Sequence, residues 1–120
     1  MDKKNIKILL ADDSAFMRNV LKNILQNDGF GNFVEAGDGV EALAKIKSEK
    51  PDLVLLDLIM PEKGGVEVLK EIGKIQKVLV ISAVGQDSII KEAATLGAAG
   101  YIVKPFDNKQ VIDEVNKAVS

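Results

Sequence analysis

Short apolar runs alternate along the chain with longer stretches in which apolar residues recur every three or four positions. Ile6-Lys7-Ile8-Leu9-Leu10-Ala11 reads as a buried strand. Ser14 to about Asn27 follows with Phe16, Met17, Val20, Leu21, Ile24 and Leu25 at the spacing of one helical face, and Asp28-Gly29 stops it. Phe33 to Ala36 is a weaker second strand, and Val40 to Glu49 repeats the helical period through Leu43, Ala44 and Ile46. Asp52 to Leu56 is a third strand, followed by a loop holding Pro61, Gly64 and Gly65 and a short helix to about Ile72. Lys77 to Ser82 is a fourth strand and Asp87 to Leu96 a fourth helix, ended by Gly97. Tyr101-Ile102-Val103 is a fifth strand, and Asn108 to Val119 a fifth helix with Val111, Ile112, Val115, Ala118 and Val119 along one face.

Strands that are apolar throughout, rather than at every second residue, belong to a parallel sheet covered by helices on both faces. Five βα units are too few for a closed barrel and suit an open, doubly wound α/β sheet, one domain over residues 1–120. Right-handed crossovers then set every strand's C-terminal end along one edge, where ligands of such sheets bind.

Composition narrows the chemistry available at that edge. Lys and Arg number 16 against 18 Asp and Glu, a net charge of −2, which lacks the basic excess of an unspecific nucleic-acid binder. Apolar residues make up 47% of the chain, enough for a core. No apolar run crosses a bilayer, since Val54-Leu55-Leu56 meets Asp57 at once, and the polar N-terminus does not resemble a signal peptide. The expectation is a cytoplasmic chain with no membrane contact. With no Cys there is no disulfide, thiol nucleophile or thiolate metal site; with no His, triads built on imidazole and His-ligated zinc are excluded. Carboxylates, hydroxyls, amines and backbone remain.

The predicted strand ends carry Asp12 and Asp13, Asp57, Ser82 and Lys104, while the second strand offers only Gly37-Asp38-Gly39, read as a turn. Singly, each has an ordinary explanation: Asp13 or Ser14 as a helix cap, Asp57 as a turn residue, Ser82 as a small polar residue, Lys104 as a solvated charge. Together they occupy one rim. Three carboxylates against one ammonium would raise one another's pKa values unless a cation lies among them, and no Arg or His stands at these strand ends. A hard divalent ion with oxygen ligands answers this, and Mg2+ fits best. Neither glycine-rich phosphate motif occurs, so there is no preformed nucleotide cradle. An Asp, Mg2+, a hydroxyl and a Lys without a separate base suit formation of an aspartyl-phosphate, with Asp57 as nucleophile and Ser82 and Lys104 each binding a phosphoryl oxygen.

The segments Leu9-Leu10-Ala11-Asp12-Asp13-Ser14, Leu55-Leu56-Asp57-Leu58-Ile59-Met60-Pro61 with Gly64-Gly65, Ile81-Ser82-Ala83 and Lys104-Pro105-Phe106 resemble a response-regulator receiver domain over the whole chain. The resemblance implies the flavodoxin-like (βα)5 fold with strand order 2-1-3-4-5. It implies that Asp57 accepts a phosphoryl group from a phosphohistidine on a partner histidine kinase. Mg2+, with Mn2+ as a substitute, would be held by Asp13, Asp57 and the Ile59 carbonyl, with Asp12 acting through water. It implies a cis Lys104-Pro105 bond. On phosphorylation Ser82 would move towards the phosphoryl group and Tyr101 would turn inward, remodelling the surface of helix four, strand five and helix five.

Ser14-Ala15-Phe16-Met17-Arg18 and Ser82-Ala83-Val84-Gly85-Gln86 resemble the single-domain chemotaxis type. That type implies a chemotaxis kinase, a motor or adaptor protein as target, a dedicated phosphatase, and a monomer that acts as a phosphoacceptor rather than a turnover enzyme. Ile59 and Val84 depart from the polar residues of the enteric chemotaxis pattern and flank the path of hydrolytic water, so slower hydrolysis is expected. Alternatives are a phosphorelay intermediate or the receiver of a DNA-binding regulator, although no helix-turn-helix is present here. A Mg2+-dependent phosphohydrolase with an Asp nucleophile would want a second acid soon after it, where Leu58 and Ile59 stand.

Overall fold

The computed structural model describes residues 2–60 and 63–120, so Pro61 of the quoted motif lies outside the described residues. The strands are β1 (Lys7–Ala11), β2 (Asn32–Ala36), β3 (Leu53–Asp57), β4 (Val78–Ala83) and β5 (Gly100–Lys104). The helices are α1 (Ala15–Asn27), α2 (Gly39–Glu49), α3 (Gly65–Ile72), α4 (Asp87–Thr95) and α5 (Asn108–Val119). All strand pairs are parallel, in the order β2-β1-β3-β4-β5. The doubly wound flavodoxin-like sheet expected from the sequence is therefore the fold.

The apolar runs are continuous because each strand feeds two cores. Leu9, Ala11, Val54, Leu56, Val78 and Val80 pack with Ala42, Leu43 and Ile46 of α2, Val68, Leu69 and Ile72 of α3, and Ala93 of α4. Their neighbours Ile8, Leu10, Leu53, Leu55, Leu79, Ile81 and Ile102 pack on the other face with Leu21, Ile24 and Leu25 of α1 and Val111 and Val115 of α5. The period of two in side-chain direction sorts one uninterrupted run into both layers. The helices are unequally anchored: α1 buries Leu21, Ile24 and Leu25, whereas Ala93 is the one buried residue of α4.

Several element ends differ from the pattern-based reading, each for a local reason. Lys3–Asn5 forms a 3-10 turn whose last N–H, that of Ile6, donates to the Lys3 carbonyl, so β1 begins at Lys7. Asp38, read as part of a turn, caps α2 by accepting the Glu41 N–H at 2.8 Å, while the Glu41 carboxylate accepts the Gly37 N–H; α2 thus begins at Gly39. On α2 the buried small residue is Ala42, and Ala44 is exposed. On α1 Phe16 is 75% exposed rather than part of the buried face. The first turn of α1 carries no buried residue; its buried face begins at Leu21. Ser14 caps α1, its Oγ accepting the Met17 N–H at 3.1 Å. At the other end Gly29 takes φ +103°, a conformation glycine adopts without penalty.

Asp28 then ties three segments together. It accepts from Asn116 of α5 at 2.8 Å and from Lys3 at 2.9 Å, and these bonds, Asn116 first, hold its carboxyl below the usual carboxylate range.

Candidate functional site

Register alone levels the acidic residues. Ala11 pairs with Leu56 across β1 and β3, so Asp12 and Asp57 are the next residues on adjacent strands. Asp57 pairs with Ile81, which places Ser82 one residue further along β4, and Ala83 pairs with Lys104 at the end of β5. The crossovers deliver the rest: carboxylate oxygens of Asp12, Asp13 and Asp57 all lie within 4.8 Å of one another. Lys104 Nζ reaches Asp57 Oδ2 at 3.1 Å and Asp12 Oδ2 at 3.6 Å.

Asp12 is 1% exposed and Asp57 6%, while Asp13 faces solvent. The Asp57 Oδ1 accepts the Ile59 N–H at 3.0 Å, and the Asp12 Oδ1 accepts the Ser14 N–H at 2.9 Å. Each carboxylate is thus oriented by the backbone of its own loop, with its second oxygen turned to the shared space. Burial pushes the Asp12 carboxyl up, the charges of Asp57 and Asp13 push further, and the Ser14 N–H and Lys104 only partly offset them. Burial pulls the Lys104 ammonium down, but its hydrogen bond to Asp57 and the two nearby carboxylates outweigh it, and its pKa lies above the usual lysine value. Two buried polar atoms have no hydrogen-bond partner among the described residues, Asp12 Oδ2 and Ser82 Oγ. Such atoms are uncommon in folded proteins and mark a place for a ligand. The donor set is entirely hard oxygen, with an unsatisfied buried carboxylate oxygen at its centre. Asp12, Asp13 and Asp57 therefore fit a divalent cation.

The loop after β3 is pressed against α3. A Cβ on Gly65 would stand 2.5 Å from the Asp57 carbonyl oxygen and 2.7 Å from Leu58 Cα, so only glycine lets the helix start this close to the strand end. Ile59 and Val84, on the loops that follow β3 and β4, are 58% and 73% exposed. The Lys104-Pro105 bond is cis. Tyr101 stands apart from the acidic cluster: it pairs with Val80, faces outward from β5, and borders an apolar cleft of about 150 Å³ with Ile90 and Ala94 of α4.

One residue here escapes a reading of strand ends. Arg18, on the first turn of α1, donates through Nη1 to the Asp12 carbonyl and through Nε to Glu35 of β2 at 2.8 Å. An arginine does stand beside the acidic loop, contrary to expectation. Its charge is matched by Glu35 rather than by the cluster, so the crowding of carboxylates around Lys104 persists. The available signal was a basic residue one helical turn past an acidic loop, with an acid near the end of the neighbouring strand.

A parallel sheet of this order, with three acids and a lysine gathered at its C-terminal rim, is the architecture of a signalling receiver. The chain belongs to the response regulator receiver domain family, whose model matches residues 8–116. Among its relatives, "Chemotaxis protein CheY" of Bacillus subtilis (strain 168) is 42% identical over 117 residues, covering 95% of this chain and 98% of the relative. "Chemotaxis protein CheY" of Thermotoga maritima is 44% identical over 114 residues, covering 92% and 95%. Among solved structures, the CheX-CheY-BeF3-Mg complex from Borrelia burgdorferi matches with a TM-score of 0.89 at 34% identity, over 96% of this chain and 90% of that one. No described helix is long and apolar enough to cross a membrane.

Proposed function

We propose that this chain is a phosphorylation-driven switch of chemotaxis signalling, in which Asp57 accepts a phosphoryl group from a phosphohistidine of a histidine kinase. The observation that carries the reading is the convergence of Asp12, Asp13 and Asp57 within 4.8 Å, with Lys104 bonded to the Asp57 carboxylate. The identity of about 40% to named chemotaxis proteins over nearly their whole length supports the chemotaxis assignment. An Asp57 oxygen attacks phosphorus as the N–P bond breaks, and the electron pair of that bond leaves with the imidazole. Mg2+ is the cation proposed, held by Asp13, Asp57 and the Ile59 carbonyl with Asp12 through water and replaceable by Mn2+; bound, it would neutralise phosphoryl oxygens as charge develops. The Lys104 ammonium and the Ser82 hydroxyl, buried and unpartnered, are suited to take the remaining oxygens.

The product carries about −1.5 to −2 more charge at the end of β3. Drawing Ser82 towards it frees space on β4, and the cleft beside Tyr101 offers the ring a way in, which alters the face formed by α4, β5 and α5. That face would meet the motor or adaptor target, and a dedicated phosphatase would reset the switch. The chain is read as a monomeric, cytoplasmic phosphoacceptor, a reactant in signalling rather than a turnover enzyme.

Incubated with Mg2+ and acetyl phosphate, the intact chain is expected to gain one phosphoryl group by mass spectrometry and none in excess EDTA. No gain with Mg2+ present, or steady turnover of many phosphate esters, would overturn the reading.

The exposed side chains of Ile59 and Val84 offer an attacking water no hydrogen bond. Ile59→Asn would supply one, and a net hydrogen bond of about 1 kcal/mol in the transition state speeds phosphate loss roughly fivefold. A decay time course after removal of the phosphodonor measures this, and an unchanged lifetime would discard the role given to Ile59.

A further inference from the structure

Asp12 is restrained from several directions. Its N–H donates to the Ala36 carbonyl at 3.1 Å, its Oδ1 accepts from Ser14, and its carbonyl accepts from Arg18. The last bond fixes the peptide plane between Asp12 and Asp13. Asp13 is exposed, so the direction of its carboxylate follows from its own backbone more than from packing. We propose that Arg18 is a positioning residue for the cation site, its guanidinium clamping the Asp12 carbonyl so that the Asp12 and Asp13 carboxylates meet Asp57 at one point. This inference rests on the reading of the acidic cluster as a divalent-cation site.

The arginine is itself held. Its side chain is 17% exposed, its Nε bonds Glu35 at 2.8 Å, and Glu35 also takes Lys22 at 3.3 Å. The Arg18 bond, ahead of Lys22, holds the Glu35 carboxyl below the usual range. Glu35 lies on β2 and Arg18 on α1, so the clamp braces the first loop against the neighbouring strand. Charge is not its means of action: Arg18 is paired with Glu35, and an uncompensated positive charge here would compete with the cation. Geometry is. A guanidinium presents donors in a planar fork and can serve a carboxylate and a carbonyl together, whereas a lysine ammonium is a point donor on a flexible stem. Residues that orient metal ligands from behind typically contribute ten- to a hundredfold in metal affinity.

The test compares the full chain with Arg18→Lys, which keeps the charge and loses the fork, and with Lys22→Ala, which disturbs the same Glu35 ion pairs without touching Asp12. Mn2+ binding is followed by electron paramagnetic resonance of the free ion, and urea midpoints are measured in EDTA. Arg18→Lys is expected to raise the Mn2+ dissociation constant roughly ten- to a hundredfold, with Lys22→Ala close to the parent and both variants folded. An Arg18→Lys affinity within twofold of the parent, or an equal loss in Lys22→Ala, would overturn the clamp while leaving the cation site standing. Failure of the parent chain to bind Mn2+ would overturn the cation reading itself, and the clamp with it.

Discussion

Asp57→Asn is expected to abolish phosphoryl uptake from acetyl phosphate completely while leaving the protein folded. The carboxamide has no anionic oxygen to attack phosphorus, and neither Asp12 nor Asp13 is expected to substitute. Asp12 is turned by the Ser14 N–H and buried, and Asp13 lies at the exposed side of the cluster. The amide oxygen can still accept the Ile59 N–H that the Asp57 Oδ1 takes at 3.0 Å, so the loop keeps its anchor. Removing one partner of a buried ion pair ordinarily costs about 3–5 kcal/mol, because the other charge is stranded. Here Lys104 is 30% exposed and keeps Asp12 at 3.6 Å, and loss of one of three crowded negative charges relieves the strain on Asp12. Stability in EDTA is therefore expected within about 1 kcal/mol of the parent. Intact-mass measurement and urea titration report the two results separately. Phosphate found on the variant would move the acceptor elsewhere.

The second large effect is expected from one added methyl group. In Gly65→Ala the new carbon would collide with the Asp57 carbonyl at 2.5 Å and with Leu58 Cα at 2.7 Å, backbone atoms of the buried end of β3 and of the first residue after it. Backbone in a β-ladder does not swing aside as a side-chain tip does, so α3 and β3 must separate. Overpacking of this kind costs about 1–3 kcal/mol. The shift is delivered to the segment that aims Asp57 and carries Ile59, and a displacement near 1 Å in a reacting group costs about a hundredfold in rate. A urea titration and the rate of phosphoryl uptake measure both. Gly64→Ser is the contrast: its Cβ would meet the Leu58 carbonyl at 3.6 Å, an ordinary contact, and its extended backbone suits a capping serine. If Gly65→Ala matched Gly64→Ser in stability and uptake, the close approach would have no consequence.

The sheet and its rim were legible in the chain because two simple periods coincide there. Runs such as Leu53-Val54-Leu55-Leu56 have no polar face and can lie only between two layers, and the polar residue ending each run falls at the rim. The same rule groups Asp12, Asp57, Ser82 and Lys104 from the sequence alone. Periodicity failed at single positions: Phe16 keeps the spacing of the buried face of α1 but stands in solvent, and Ala42 rather than Ala44 is buried. The support of the site was illegible for a different reason. Arg18 bonds a main-chain carbonyl and Gly65 matters by the atom it lacks, so the position of each could be noted in the sequence but its contact could not.

α4 is more lightly anchored than α1. A helix that buries Ala93 alone and packs Ile89 only partly against the core forfeits less solvent shielding on tilting than one with three buried aliphatic side chains. A disturbance at the end of β4 is therefore expected to move α4 before α1, which holds Leu21, Ile24 and Leu25 inside. Core composition thus favours the α4 flank as the one that yields first.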